Sequence, residues 1–455
     1  MASFATLELL RRALAAQQRA MDITGHNIAN VNTPGYTRQE VVLSSQPPPG
    51  SLSRFGTTLL VGGGVRLASV RQARDAFLDR QLRSAQQSSA EWKARADFWS
   101  QVEAVFPEPS DVGLGELLAR FWNAWQEVSL NPESLGARTS LAQQAQMLAD
   151  ALRQSAERLL ELRRHLDAVA TGHVQRINQI SRELANLNTQ ISRLELSGQR
   201  ALDLRDHRER LLAELEELAD VTYTETEAGE LLVYLQGREL VGPGGRSTEI
   251  RVEPPPPGGV HRFRWPDGED LGVRRGTLAA VLQARDTEVA ALQERLDTLA
   301  RNLIERVNDL HDDGFDLDGV PGGVFFEGSD ARTIRLAEVI REDPRRIAAS
   351  EAPAEPGNGN IALRVAQLRG RDDLDGLYRM LVTEVGVRAQ EASRQVAYQD
   401  LLTDQLRLRR EEVSGVSLDE EMTNMLRSQH AYEAAARMVR AVDEMIQTLL
   451  GMVGG

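Results

Sequence analysis

Leu7, Leu14, Met21 and Ile28 recur every seven residues near one end of this chain. Leu418, Met425, Tyr432, Val439 and Ile446 do the same near the other. A seven-residue apolar repeat commits a segment to α-helix and obliges that helix to lie along another. Leu10 adds a second seam position at the first end, and Ala435, Val442 and Leu449 add one at the last. Ala13, Ala15, Ala16 and Ala20 permit close approach on the other faces of the first helix. A chain with such ends must either pair them with each other or lay each along a neighbour.

Both helices carry explicit stop or start signals. "NIANVNTPGYTRQ", residues 27–39, ends the first one: asparagine tolerates the left-handed conformation, and Pro34-Gly35 suits the centre of a type II turn. Ser417 caps the last helix, with Glu420 completing a capping box and Asp419 and Glu421 favouring its N-terminal dipole.

Between the ends the texture alternates. Residues 41–71 are rich in Gly, Pro and β-branched side chains and read as a β-hairpin region. Helix is expected from about 75 to 105 and from 113 to 128. Ile177, Ile180, Leu184, Leu187, Ile191 and Leu194 then alternate steps of three and four in the longest periodic stretch. Helix from Ser134 to Leu196 would extend about 90 Å at ~1.5 Å per residue, a rod rather than a globule. "VTYTETEAGELLVYLQGRELVGPGG" and "GVHRFRWPDGEDLGV" read as short strands broken by Gly and Pro.

The expected organisation is a coiled-coil helix at 1–40 and the first half of a helical rod at 41–218. A β-rich module at 219–275, a helical return at 276–311 and a loop- and β-rich outer segment at 312–370 follow. The last rod helix is expected at 371–416 and the C-terminal coiled-coil helix at 417–455. The fold class is mainly α with a smaller β part. It is an elongated helical bundle or coiled-coil rod formed by the N- and C-terminal halves, with a β-rich outer module inserted in the middle.

Composition narrows the chemistry. The chain carries a net charge of −14, which argues against a phosphate-backbone partner, so no nucleic acid is expected. Cysteine is absent, which excludes disulfides, thiolate zinc sites and thiol nucleophiles. No apolar run approaches the roughly 20 residues of a membrane span, so no membrane insertion is expected. The opening segment alternates polar and apolar residues too often for a secretory signal peptide. The seven histidines, His26, His165, His173, His207, His261, His311 and His430, include no pair at the spacing of two ligands on one helix face. "HDDGFDLDG" fails as a calcium loop, because aligning Gly319 with the loop glycine puts Gly314 and Phe325 where acids are required. "VGGGV" lacks the phosphate-binding spacing, and no nucleophile elbow occurs. No catalytic residue, cofactor or metal site is expected, and the chain is not read as an enzyme.

The residues alone leave two readings of the ends open. The seams can form an intramolecular coiled coil, with Asn27, Asn30, Gly35 and Tyr36 nothing more than a helix stop and turn; or they can serve assembly.

"NIANVNTPGYTRQ" resembles the signature of bacterial flagellar rod, hook and hook-associated proteins, and "GVSLDEEMTNMLRSQHAYEAAARMVRAVDEMIQTLL" resembles their matching C-terminal element. "LLARFWNAWQEVSLNPESLGARTSLAQQAQMLA", "LDLRDHRERLLAELEEL" and "RVNDLHDDGFDLDG" are similar to the members that stand between hook and filament. The resemblance covers about two thirds of the chain. It implies a structural junction protein, secreted unfolded through the flagellar type III export channel and located in the extracellular flagellum. Hook or distal rod proteins, or a secreted enzyme with axial-protein termini, are the alternatives. The implied partners are other copies of the chain in a ring, the hook protein, hook-associated protein 3, and an export chaperone at the C-terminal helix. The implied assembly interface is Leu7, Leu10, Leu14, Met21, Asn27, Ile28, Asn30, Gly35 and Tyr36 with Leu418, Met425, Tyr432, Val439, Val442, Ile446 and Leu449. Residues 320–370 are shorter than the outer insertion of many members, so the resemblance implies a reduced or missing outermost domain.

Overall fold

The computed structural model describes residues 2–46, 63–197 and 200–453, excluding the side chains of 2–5, 449, 450 and 453. The described residues are mainly helical and form four small antiparallel sheets. Helix α1 (Ala2–Ala29) leads into a hairpin of β1 (Gln39–Ser45) and β2 (Val65–Gln72), whose register shifts at Val42/Leu43. Helices α2 (Ala76–Val105), α3 (Leu114–Leu130), α4 (Leu135–Leu196) and α5 (Leu202–Leu218) follow. Asp75 caps α2 by accepting from the Phe77 and Leu78 amides, and Ser134 caps α4 by accepting from Ala137 N. Both starts are local, sequence-encoded devices.

At 62 residues, α4 is the strut of the molecule. Its inward face, from Leu141 through Leu152, Leu166 and Ile177 to Ile191, is buried at helical spacing. Two asparagines on that face grip the β module. Asn188 accepts from Leu231 N at 3.0 Å and donates to Leu231 O at 2.7 Å; Asn178 does the same to Ile250 at 2.8 Å each way. Each amide takes the place a neighbouring strand would hold, so a small sheet is moored to a helix by main-chain recognition. The module comprises a meander, β3 (Val221–Glu225), β4 (Leu231–Leu235) and β5 (Arg238–Val241), and a ribbon, β6 (Arg251–Glu253) with β7 (Arg262–Arg264).

The helical return is α6 (Thr277–Gln283) and α7 (Val289–Asp312), continuous through a π turn at Ala284–Glu288. That turn directs buried Arg285 onto Asp167 of α4 at 2.6 Å, while Asp167 also holds the His261 amide and ring. Residues 312–370 carry β8 (Phe326–Glu327), β9 (Arg335–Leu336), α8 (Glu338–Glu342) and α9 (Asn360–Ala366). Despite having little regular structure, this segment is well packed. Phe325, Phe326, Ile334, Ile340, Ile347 and Val365 are buried, and Phe121 and Trp125 of α3 stack among the phenylalanines. His311 bridges the cluster, its Nδ1 donating to Gly323 O and its Nε2 accepting from Ala348 N, both at 2.8 Å. These partners require the neutral ring, and burial pushes its pKa down to about 4. Asp316, in the segment weighed as a calcium loop, accepts the Asp318 and Val320 amides and pairs with Arg346. Its carboxylate therefore closes a turn.

Helix α10 (Leu377–Ser414) returns antiparallel along α2, with Asp79 meeting Arg410 at one end and Trp99 meeting Arg388 at the other. Helix α11 (Leu418–Val453) lies antiparallel to α1. One apolar core runs from Phe98 to Ala392, with a small second cluster at Leu82, Ala85 and Leu406. Among the described residues, neither α1 nor α11 contributes to either.

Candidate assembly interface

The terminal helices meet along the expected seam, though α1 presents it in a shifted phase. On α11, Ala435 and Val442 are buried, while Met425, Tyr432, Val439 and Ile446 are half-buried, at steps of three and four. Leu418 stays exposed, and Leu449 falls outside the described side chains. On α1, Leu10, Ala16, Thr24 and Asn27 are buried, whereas Leu7, Leu14, Met21 and Ile28 are only half-buried. With one helix covering α1, the heptad leucines are left partly open. On α11, Leu418, Met422 and Leu426 form an exposed apolar flank on one side of the seam, and Met438, Met445 and Met452 form another on the opposite side. A helix with apolar surface on three sides is built for more than one neighbour.

The signature turn is organised around one side chain. Asn27, 1% exposed, uses its full amide. Its Nδ2 donates to Gln39 O at 2.9 Å and to Glu421 Oε2 at 3.0 Å; its Oδ1 accepts from Tyr36 OH at 2.8 Å and Gln39 N at 3.0 Å. Four bonds thereby tie the end of α1 to the first turn of α11, to the signature tyrosine and to the first residue of β1. Asn30 closes the helix end by donating to His26 O, and Thr33 bonds Asn30 Oδ1. The turn is type II as expected: Tyr36 N bonds Thr33 O, and Gly35 has φ of +76°. A Cβ on Gly35 would also lie 2.6 Å from Arg210 Cδ, so glycine is required twice over.

This turn docks against α5. Asp203 and Asp206, on the first turns of α5, receive it. Asp203 accepts from Gln39 Nε2 at 3.1 Å and lies 3.3 Å from His26 Nε2. Asp206 accepts from Thr37 N at 3.3 Å and Gln72 Nε2 at 2.7 Å. The only advance signal is the pair of acids three apart in "LDLRDHRER". Below them Asp79, buried, holds both Arg74 and Arg410, and Arg83 bridges Glu209 and Glu216. The bonds that dock the signature turn on α5 are thus polar ones.

Burial raises the Asp206 carboxyl to about 6, against the lowering pull of Thr37 and Arg74. A carboxyl raised above its unfolded value adds stability that is complete below about pH 4 and is lost as pH rises through 6. The joint should therefore be tighter at pH 5 than at pH 7.5. Hydrogen exchange at the amides of residues 36–39 should slow across that window beyond its intrinsic pH dependence. Asp206→Asn should remove the excess.

Known flagellar proteins resemble this chain in sequence along its length. A family model described as "Flagellar hook-associated protein FlgK helical domain" matches residues 99–326. Models of a flagellar basal body rod protein and of the C-terminal part of the FlgEFG rod proteins match residues 7–37 and 409–452. The chain is 31% identical to flagellar hook-associated protein 1 of Bacillus subtilis, covering 99% of each chain. It is 27% identical to the Salmonella typhimurium protein of the same name, over 69% of this chain and 57% of that one. A solved structure titled as the flagellar hook junction protein FlgK from Burkholderia pseudomallei aligns with TM-score 0.48 and 24% identity, covering 54% of this chain and 46% of that one. With full-length identity to one relative and a family-specific match across its helical middle, the chain belongs to the flagellar hook-associated protein 1 family.

Proposed function

We propose that the chain is a non-enzymatic structural subunit that joins the distal hook to the filament by way of hook-associated protein 3. It reaches the cell exterior by flagellar type III export, with a chaperone holding its C-terminal helix, and forms a ring of identical subunits. The observation that carries this reading is the terminal pair: two helices joined along a seam, outside the rod's core, with apolar flanks left open on α11. The pair continues the axial tube, and the rod and β module project from it. The match of a hook-associated helical model to the middle of the chain favours this over a hook or rod protein.

Val439→Asp tests it. An unpaired charge in a seam that is fully covered on assembly costs roughly several kcal/mol there. Among the described residues the rod's core holds none from α11, so the free protein should melt within about 2 °C of the parent. Co-sedimentation with isolated hooks and restoration of motility should both be lost. Binding that survives the substitution would exclude the seam from attachment; a large fall in melting temperature would place it in the core fold.

A further inference from the structure

Helix α10 is held to α2 by apolar packing as far as Leu406, which clusters with Leu82 and Ala85. Beyond that point the contact thins out. Arg407, Leu408, Arg409, Glu411, Glu412 and Val413 are all exposed, and only Arg410 and Ser414 turn inward before the helix ends. The end of α10, from which Gly415–Ser417 leads to α11, is therefore tied down by polar bonds. Ser414 O accepts from Arg38 N at 3.0 Å, and Arg38 O accepts from Ala73 N at 2.8 Å, so the chain's three crossings between rod and terminal pair are laced together. Arg410 Nε donates to Asp79 Oδ1 at 2.9 Å, while Asp79 Oδ2 accepts from Arg74 Nε at 2.9 Å. A carboxylate only 5% exposed thus takes one arginine from the second crossing and one from beside the third.

Asp79 also belongs to a row of alternating charge, Arg410, Asp79, Arg74, Glu209, Arg83 and Glu216, with successive contacts of 2.9, 2.8, 3.2, 3.0 and 2.8 Å. Arg410 stands at the open end of that row. We infer that Asp79 is the positioning residue of the joint: through Arg410 it pins the end of α10, and so sets the direction in which α11 and its partner α1 leave the rod. One charge pair can decide that direction because no buried apolar side chain of α10 beyond Leu406 shares the duty. Its consequence in a tube, an angle set for the projecting rod, rests on the assembly reading. The pin itself is measured in the free chain and can fail without that reading.

The absence of cysteine makes the test direct. Full-length chains carry Gln405→Cys on α10 and Gln429→Cys on α11, both exposed positions, each labelled with a nitroxide. Pulsed dipolar spectroscopy then reads the distance between the labels. The labelled parent should give one narrow distribution. Arg410→Gln and Asp79→Asn should each widen it roughly twofold, because the tie at the end of α10 is gone. Arg410→Lys should keep it narrow, and Arg410→Glu, which sets a like charge against Asp79, should widen it most. Neither Arg410→Gln nor Asp79→Asn strands a buried charge: Asp79 keeps Arg74 in the first, and Arg74 keeps Glu209 in the second. Both should therefore melt as the parent does. An Arg410→Gln chain as narrow as the parent would overturn the inference, as would a parent already broad. Equal widths for Arg410→Lys and Arg410→Gln would show that shape and not charge holds the joint, and overturn it too. Widening accompanied by a large fall in melting temperature would make the pair part of the rod's fold, with no separate role in aiming the terminal pair.

Discussion

Asn27→Leu is expected to release the terminal helix pair from the rod and to lower hook binding at least tenfold, while the rod melts as before. Leucine keeps the branched heavy-atom outline of asparagine and removes all four of its hydrogen bonds. Gln39 N, Gln39 O and the Tyr36 hydroxyl are left at a site with 1% exposure, and the Glu421 carboxylate loses its partner from α1. A buried group so stranded costs about 1–3 kcal/mol, more when charged, and several are stranded at once. Among the described residues the terminal pair shares no apolar core with the rod to offset that loss. Limited proteolysis within residues 30–38 reads the outcome: cleavage should accelerate strongly in the variant. A cleavage rate equal to the parent's would show that the Asp203 and Asp206 contacts hold the joint unaided.

Trp125→Ala is expected to have the largest effect on the rod itself, lowering its stability by roughly 3–5 kcal/mol in urea unfolding. The indole is fully buried, with Phe325 at 5.1 Å, Phe121 at 6.3 Å and His311 at 6.4 Å between ring centroids. Alanine would leave a cavity bounded by α3, α7 and the irregular segment after it, a junction with little freedom to collapse. Trp125→Phe should cost far less. The buried indole N–H finds no acceptor among the described residues, so phenylalanine gives up ring volume and no hydrogen bond. A penalty for Trp125→Phe as large as that for alanine would mean that the N–H is satisfied after all.

The legible parts of this molecule are those whose cause is local. Ser134 announces the start of α4 from its own side chain, and the three-four spacing from Ile177 to Ile191 foretells the buried face. Gly35 was readable because a type II turn demands a positive φ at that position. The phase of α1 was misleading for an equally physical reason: Asn27 counts as polar in any apolar pattern, yet it is buried because its hydrogen-bond partners include the distant Glu421. Asp206 stands 169 positions from Thr37, and no periodicity connects such partners. Nor could spacing foretell the π turn at 284–288, since it serves an ion pair from Arg285 to Asp167 across the rod. Residues 312–370 show the same limit, because a core assembled from turns and two-residue strands has no repeat to read.

The polar joint also determines how the molecule bears load. Apolar contacts resist slipping in every direction, because any displacement exposes area to water. Directional bonds resist mainly along their axes and can be traded for water one at a time at small net cost. The rod, with its continuous core on α4, therefore acts as a stiff lever, and the bonds around Asn27, Asp203 and Asp206 act as its compliant pivot. Under shear the pivot is expected to yield before the rod, with the backbone at residues 37–39 and 414–417 as its tether, which would spare the tryptophan core.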